Sequence, residues 1–209
     1  MNFLAHAHLS GDNDKVLLGN FFADAVKGKQ WEKYETEIQA GILLHRQIDT
    51  FTDRHHIVKR SVSRIREDYG RYSGVVMDIY YDHFLAKNWK QYHASSLNSF
   101  SKHIYAILTK RFLILPDRTK MMLPFLIAQN WLTSYAEFSG LERVFHGMDR
   151  RTGLLSGMSS AVAGLEKNYE ELKQDFTEFY PELQNFSEVT LHGILGNGNN
   201  PTTNELGET

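Results

Sequence analysis

The sequence predicts an all-α protein that folds as a single compact helical domain, and three observations support this prediction. Apolar residues recur at helical spacing in five long segments of the chain. No window shows the sustained alternation of apolar and polar residues that is typical of a strand. The chain has 209 residues, which is enough for one sizeable core and makes a single domain the default expectation.

The first two predicted helices lie in the first half of the chain. In residues 35–53, charged residues separate apolar residues at helical spacings, namely Ile38, Ile42, Leu44 and Ile48. In residues 73–88, apolar residues repeat with a period near 3.6, namely Val75, Val76, Ile79, Tyr80, Phe84 and Leu85. Both patterns are typical of helices that bury one face.

The second half of the chain contains three further segments with this spacing, which predict helices over residues 97–113, 119–136 and 156–180. Proline has no backbone N–H, so Pro116 and Pro124 predict a break followed by a kink or a helix start.

The C-terminal residues differ from the rest. Residues 187–209 are rich in glycine, asparagine and threonine and contain little that a core could bury. We therefore expect a helical domain over residues 1–186 and a flexible tail after it.

The composition excludes several kinds of chemistry. A chain without cysteine has no disulfide scaffold, no thiolate zinc site and no cysteine nucleophile. Its 10 histidines leave imidazole and carboxylate as the available ligands, a set that suits zinc, manganese or iron. The formal net charge of -2 argues against a general nucleic-acid binder.

No segment of the sequence predicts export or insertion into a membrane. The N-terminal residues lack a basic region and an apolar run of signal-peptide length. No stretch approaches the roughly 20 apolar residues that span a bilayer. We therefore expect a cytoplasmic protein without a membrane partner.

A histidine and two aspartates in the first predicted helix form a candidate site. His45, Asp49 and Asp53 are spaced i, i+4 and i+8, which places them on one helix face. His45 and Asp49 could supply two metal ligands from one element, or they could be an ordinary surface pair. For Asp53, the sequence favours an exposed or helix-end residue because Arg54 follows it.

The second predicted helix carries Asp78 and Asp82, again at i and i+4, with His83 next in the chain. Two such carboxylates repel each other, and apolar surroundings make their charges costlier unless a cation or protons compensate them. A divalent metal would supply that compensation. Asp78 could instead be a solvated position opposite the core.

Two further groups lie near the N-terminus. His6 and His8 are two positions apart, so a helix would point them in different directions, and we expect only one to face a site. Asp24 follows the apolar residues Phe21, Phe22 and Ala23, which makes it a poor core residue and a reasonable ligand.

A basic strip follows the first predicted helix. Arg60, Arg64 and Arg71 fall near one face at i, i+4 and i+11. The strip could be a solvated helix face, which the sequence alone favours, or a docking surface for an acidic partner.

Four blocks of sequence resemble the acyl carrier protein phosphodiesterase family. They are NFLAHAHLS, GNFFADAVKG, GILLHRQIDTFTD and MDIYYDHFLAKNW, and the resemblance extends more weakly to about residue 183. It implies a helical fold of the metal-dependent phosphohydrolase type and grouping with the HD-type phosphohydrolases. Here the His-Asp order of that group is reversed, as Asp82-His83.

The resemblance also implies an activity, namely hydrolysis of the phosphodiester that joins 4′-phosphopantetheine to a serine of holo-acyl carrier protein. The implied cofactor is a divalent metal, with manganese first and zinc, iron or magnesium as alternatives. A general phosphohydrolase acting on a small phosphodiester or nucleotide, and a non-catalytic helical module that binds an acidic partner, are the competing hypotheses.

The residues can then be assigned to roles in this reaction. The metal ligands would be Asp24, His45, Asp49, Asp82 and His6, with supporting positions at His8, Asp78 and Asp53. His83 would protonate the departing serine oxygen or orient the water, and Arg46 would clamp a phosphate oxygen. Acyl carrier proteins are acidic, which gives Arg60 and Arg64 a docking role.

Overall fold

The computed structural model describes residues 1–197, and within this range the chain forms twelve α-helices and six short 3-10 turns without a strand. The helices of the first half are α1 (Phe3–His8), α2 (Asp14–Phe22), α3 (Thr36–Arg54), α4 (His56–Arg64), α5 (Arg66–Tyr69) and α6 (Ser73–Lys87). Those of the second half are α7 (Leu97–Lys110), α8 (Asp117–Ala128), α9 (Trp131–Ser134), α10 (Phe138–Arg151), α11 (Ala161–Lys167) and α12 (Tyr169–Asn197). The turns are Ala23–Ala25, Gln30–Lys33, Gly70–Tyr72, Trp89–Gln91, Phe112–Ile114 and Met158–Ser160. The prediction of a single helical domain is confirmed for the described residues.

Helix bounds follow the predicted segments closely in the first half and less closely in the second. The predicted helix over residues 119–136 is divided at Asn130, which adopts a left-handed conformation with φ of 43°. The predicted helix over residues 156–180 is divided at Asn168, whose side chain donates to the carbonyl of Gly164 and competes with the helical backbone. Pro116 directly precedes α8, as the predicted break requires, and Pro124 lies inside that helix.

The predicted start of the tail does not agree with the structure. α12 continues to Asn197, and Ser187 is fully buried. Leu191 and Ile194 pack against the core at helical spacing from Ser187, so a sparse apolar pattern still supports the helix. The rest of the predicted tail, residues 198–209, lies outside the described residues.

α6 is the central helix of the domain. Eleven of its fifteen residues are buried, including Val76, Ile79, Tyr80 and Phe84. A helix that is buried on nearly all sides lies inside a core rather than at its surface. Its ionisable residues Asp82 and His83 are therefore held among neighbouring helices.

α2 and α3 cross with their backbones in direct contact because each has a glycine at the crossing. A Cβ atom added to Gly19 would lie 2.1 Å from the carbonyl oxygen of Ile38, and one added to Gly41 would lie 2.1 Å from that of Val16. No side chain fits between the two helices there. The close crossing brings Asn20 on α2 against His45 on α3.

Within residues 1–197, we find no helix with the length and apolar character needed to span a bilayer.

Candidate metal centre

Helices α1 and α3 bring two imidazoles and a carboxylate together. The Nε2 atom of His6 lies 3.2 Å from Oδ1 of Asp49, and the Nε2 atom of His45 lies 3.2 Å from Oδ2 of the same carboxylate. The two rings stack, with centroids 3.8 Å apart and planes 18° apart. His6, His45 and Asp49 each offer a ligand atom, and these atoms all lie within 4.8 Å of one another, close enough to hold one metal ion.

Asn20 on α2 fixes the orientation and tautomer of both rings. The Nδ1–H of His6 donates to the side-chain oxygen of Asn20 at 2.9 Å, and the Nδ1–H of His45 donates to its backbone carbonyl at 2.8 Å. The Asn20 amide nitrogen donates in turn to the His6 carbonyl and to Ser10, which fixes the position of its oxygen. Both rings therefore direct Nε2, the nitrogen that can bind either a proton or a metal ion, towards Asp49.

This arrangement fits a divalent metal ion. A nitrogen lone pair facing a carboxylate oxygen is repulsive unless a cation or a proton lies between them. The Nε2 atom of His6 is buried and has no hydrogen-bond partner within residues 1–197, although Asp49 is only 3.2 Å away. Two imidazole nitrogens and a carboxylate suit zinc, manganese or iron, and ring nitrogens held from behind are the usual support for such ligands.

Asp24 marks the open side of the centre. It lies in the 3-10 turn Ala23–Ala25 directly after α2, and its Oδ1 is 3.2 Å from the Nε2 of His45. Its side chain is 71% exposed, whereas that of His45 is almost fully buried. Asp24 therefore borders the centre at its exposed side, outside the group of three residues whose ligand atoms lie within 4.8 Å of one another.

The charges of the centre are strongly coupled. Burial lowers the pKa of His6 to about 4, and the neighbouring His45 acts in the same direction. Burial would also lower the pKa of His45, but the carboxylates of Asp24 and Asp49 raise it to about 9. Burial opposes ionisation of Asp49, yet the imidazoles of His45 and His6 and the α-amino group of Met1 hold the pKa of this carboxyl below its usual range. The centre thus favours one added positive charge, which a metal ion can provide.

The family model described as acyl carrier protein phosphodiesterase matches residues 1–183, which include every residue of this centre. The chain belongs to this family. Relatives named acyl carrier protein phosphodiesterase include a Yersinia enterocolitica protein, 36% identical over 88% of this chain and 95% of the relative. Another is a Photorhabdus laumondii protein, 35% identical over 90% of this chain and 96% of the relative. No solved structure matches the chain.

In this member of the phosphodiesterase family, the structure does not bring Asp82 into the metal centre. Asp82 is fully buried, and its oxygens accept the backbone N–H groups of Leu4 (2.8 Å) and Ala5 (3.1 Å) at the start of α1. Burial raises the pKa of this carboxyl to about 7, although both hydrogen bonds favour the charged form. The compensation that the sequence assigned to a cation comes from helix amides, and Asp82 positions the helix that carries His6.

His83 also lies away from the centre. Its Nδ1–H donates to the carbonyl of Tyr135 at 2.7 Å, and its Nε2 accepts from the hydroxyl of Tyr169 at 3.2 Å. It lines a separate pocket of about 410 Å³ together with Lys87 and Phe138. One step along α6 turns the side chain by about 100°, so Asp82 and His83 face different neighbours. The structure therefore places His83 among Tyr135, Tyr169 and Phe138 and not among the residues of the candidate metal centre.

The structure distinguishes the two N-terminal histidines. His6 is a candidate ligand, whereas His8 accepts a hydrogen bond from the hydroxyl of Tyr180 at its Nδ1 and donates from its Nε2 to the carbonyl of Tyr92. Burial lowers the pKa of His8 to about 4, so it is held as a neutral core histidine. Of these two histidines, only His6 belongs to the candidate centre.

The remaining acidic positions differ in their surroundings. Asp78 binds the α-amino group of Met1 at 2.9 Å, and this amino group also lies 3.8 Å from Asp49. Asp78 is thus linked to the centre through a neighbouring cation rather than through a shared metal. Asp53 is exposed and lines a surface pocket with Asp78, which agrees with its interpretation as a helix-end residue.

The predicted roles of three arginines also change. The guanidinium of Arg46 donates to the carbonyl of Gly28 at 3.1 Å and so holds the loop after Asp24 rather than a phosphate. Arg60 and Arg64 both bind Asp175 on α12, and Arg60 also binds Glu178. Two carboxylates neutralise these two arginines, and both acids lie more than a hundred residues away in sequence. Arg60 and Arg64, two of the three arginines of the predicted docking strip, therefore form a contact between α4 and α12.

The sequence interpretation did not single out Asn20. The available signal is an asparagine within an otherwise apolar run, GNFFA, one residue after a buried glycine. A fully buried amide needs hydrogen-bond partners, and in this case the partners are the two histidines.

Replacing Asn20 by alanine is expected to weaken metal binding, because the ring of His6 loses the acceptor that fixes its tautomer. Loss of such a supporting hydrogen bond weakens metal affinity by roughly 10- to 100-fold. Competition with a chromophoric chelator measures the affinity, and circular dichroism checks the fold. Asn168→Ala, which removes only a hydrogen bond to the Gly164 carbonyl, is the matched control. Unchanged affinity in a folded Asn20→Ala protein would rule out this role.

Proposed function

We propose that this chain is a metal-dependent phosphodiesterase that removes 4′-phosphopantetheine from the serine of holo-acyl carrier protein in the cytoplasm. The proposal is supported by the family and by the names of the relatives. The observation that carries it is the pair of stacked imidazoles, oriented by Asn20, whose Nε2 atoms face Asp49 beside the exposed Asp24. A phosphodiester carries negative charge, so a site that concentrates a cation at an accessible edge suits its hydrolysis.

His6, His45 and Asp49 would hold the metal ion, with Asp24 as a fourth ligand at the exposed edge. Manganese is our first candidate, and zinc, iron and magnesium are the alternatives. When bound, the ion would polarise the phosphoryl oxygen and lower the pKa of a coordinated water.

The residues of the chain supply position and charge. Asn20 prevents both rings from turning, and Asp82 holds the start of α1 so that His6 stays in place. The exposed carboxylate of Asp24 would orient a water by accepting its hydrogen bond. Arg46 fixes the loop that follows Asp24 through the Gly28 carbonyl. These contacts keep the reacting groups in a constant geometry, which is the main requirement for an efficient displacement at phosphorus.

Incubation of the manganese-loaded protein with holo-carrier protein tests the proposal. We expect mass spectrometry to show loss of the 4′-phosphopantetheine group and release of an apo-protein with an intact serine. Dialysis against a chelator should abolish the reaction, and added manganese should restore it. Activity confined to small phosphodiesters such as bis(p-nitrophenyl) phosphate would favour a general phosphohydrolase instead. Stoichiometric metal without any hydrolysis would favour a binding module.

A further inference from the structure

A cleft beside the metal centre carries positive charge that the predicted docking strip lacks. The cleft has a volume of about 750 Å³ and lies between the Asp24 loop and the start of α8. Its lining includes four basic residues, Lys27, Lys33, Arg118 and Lys120, and one acidic residue, Asp117. Its local charge is therefore strongly positive in a protein whose formal net charge is -2.

The basic side chains of this cleft are largely uncompensated. Lys120 lies 3.7 Å from Asp117, a contact between neighbouring turns of one helix. Among the described residues, no carboxylate lies within 4.0 Å of the amino groups of Lys27 and Lys33 or the guanidinium of Arg118. Arg60 and Arg64, by contrast, share two carboxylates. The cleft is thus able to attract an anionic partner.

An exposed apolar surface adjoins the basic cleft. Six of the ten large apolar residues that are exposed in the described chain lie between positions 112 and 127, namely Phe112, Leu113, Ile114, Met121, Phe125 and Ile127. Leu113 is 87% exposed, and it lines the cleft itself. Met121 and Phe125 lie one turn apart on α8 and are 69% and 62% exposed. A concentration of this kind is typical of an interaction surface.

The cleft opens next to the metal centre. Ala25, which lines it, directly follows Asp24, and Asp24 contacts the ring of His45. Arg46 holds the Gly28 carbonyl, so the loop that presents Lys27 is tied to the helix that carries His45. A partner bound in the cleft would therefore place nearby groups at the exposed edge of the centre.

We infer that this basic and apolar cleft is the docking surface for an acidic protein that presents the phosphodiester to the metal centre. The inference rests on the proposed function, in which that partner is the carrier protein. Charge complementarity favours a protein with carboxylates around its modified serine, because basic side chains beside the metal centre would attract such a partner and orient it. The apolar residues beside the cations supply the desolvated area that a specific protein interface needs.

A double charge reversal, Lys33→Glu with Arg118→Glu, tests the inference. At low ionic strength we expect KM for the holo-carrier protein to rise by about tenfold or more while kcat changes little. Turnover of bis(p-nitrophenyl) phosphate should be unchanged, because this small diester does not use the surface. Leu113→Ser should also raise KM, and the effect of the charge reversal should shrink in high salt. Lys90→Glu, a charge reversal at an exposed residue that does not line the cleft, is the control.

Binding of the apo-carrier protein provides a measurement that is independent of hydrolysis. We expect its Kd to rise in the double variant in parallel with KM and to stay unchanged in Lys90→Glu. Unchanged Kd and KM in the double variant would overturn the docking surface. The docking surface would also be overturned if the double variant bound the carrier normally but no longer bound vesicles of anionic phospholipid. The same holds if it bound the carrier normally but changed from a dimer to a monomer. If the wild-type protein binds the carrier but does not cleave it, the proposed function fails while the docking surface stands.

Discussion

Gly41→Ala is expected to destabilise the protein by about 3 kcal/mol or more, at the upper end of the cost of overpacking a core. The new methyl group would lie 2.1 Å from the carbonyl oxygen of Val16, and a backbone atom cannot move aside as a flexible side chain can. α2 and α3 would have to separate, which would also break the hydrogen bond between Asn20 and His45. Urea unfolding followed by circular dichroism measures the change in the free energy of unfolding, and Gly19→Ala should behave in the same way.

Gly147→Ala is the matched control for the crossing. Gly147 lies inside α10, where an added Cβ atom has no neighbour within 4 Å among the described residues. Because alanine favours helices more than glycine does, this change should stabilise the protein by up to about 1 kcal/mol. Equal effects of the two substitutions would show that α2 and α3 adjust easily and that their close crossing does not determine the position of Asn20.

His45→Ala is expected to abolish both stoichiometric metal binding and hydrolysis, since the ring is held between Asn20, Asp24 and Asp49. Metal ions contribute several kcal/mol to such transition states, so the rate should fall by about a thousandfold or more. Metal analysis of the purified protein and turnover of holo-carrier protein are the two measurements. Asp49→Asn keeps the size of the side chain and should give the same losses.

Substitutions of two other histidines test whether the losses are specific to the proposed metal ligands. His103→Ala removes an exposed ring that binds Asp14 and lies outside the candidate centre, so it should leave metal content and turnover unchanged. His83→Gln is the more informative change, because the sequence predicted a catalytic role that the structure does not support. Retained metal with retained turnover agrees with the structure. Retained metal with lost turnover in a folded protein would restore the catalytic role of His83.

The fold was largely predictable because the helical spacing of apolar residues can be recognised in a single sequence. α3 and α6 lie within one residue of their predicted bounds. The divisions at Asn130 and Asn168 were not predictable from apolar spacing, because each depends on the local conformation or hydrogen bonding of one asparagine. The length of α12 was not predicted because few apolar residues mark its last turns. Leu191 and Ile194 are nevertheless spaced so that both pack against the core.

The candidate site was predictable only where its geometry lies within one element. His45 and Asp49 share a turn of α3, so their spacing in sequence is also their spacing in the structure. The choice between His6 and His8 depends on how α1 packs. The burial of Asp82 was inferred correctly, but a cation and a helix N-terminus satisfy a buried carboxylate equally well, and the sequence does not tell them apart. Pairing of Arg60 with Asp175 depends on contacts across the whole chain.

The shortness of α1 has a thermodynamic consequence. Six residues are too few for a helix to be stable alone in water, so the order of α1 depends on what holds its two ends. Asp82 holds the first end, and His6 near the second end belongs to the candidate metal centre. Metal binding at His6 would therefore stabilise α1, and an ordered α1 would strengthen metal binding by the same free energy. Amide hydrogen exchange in α1 should therefore become slower as metal occupancy rises.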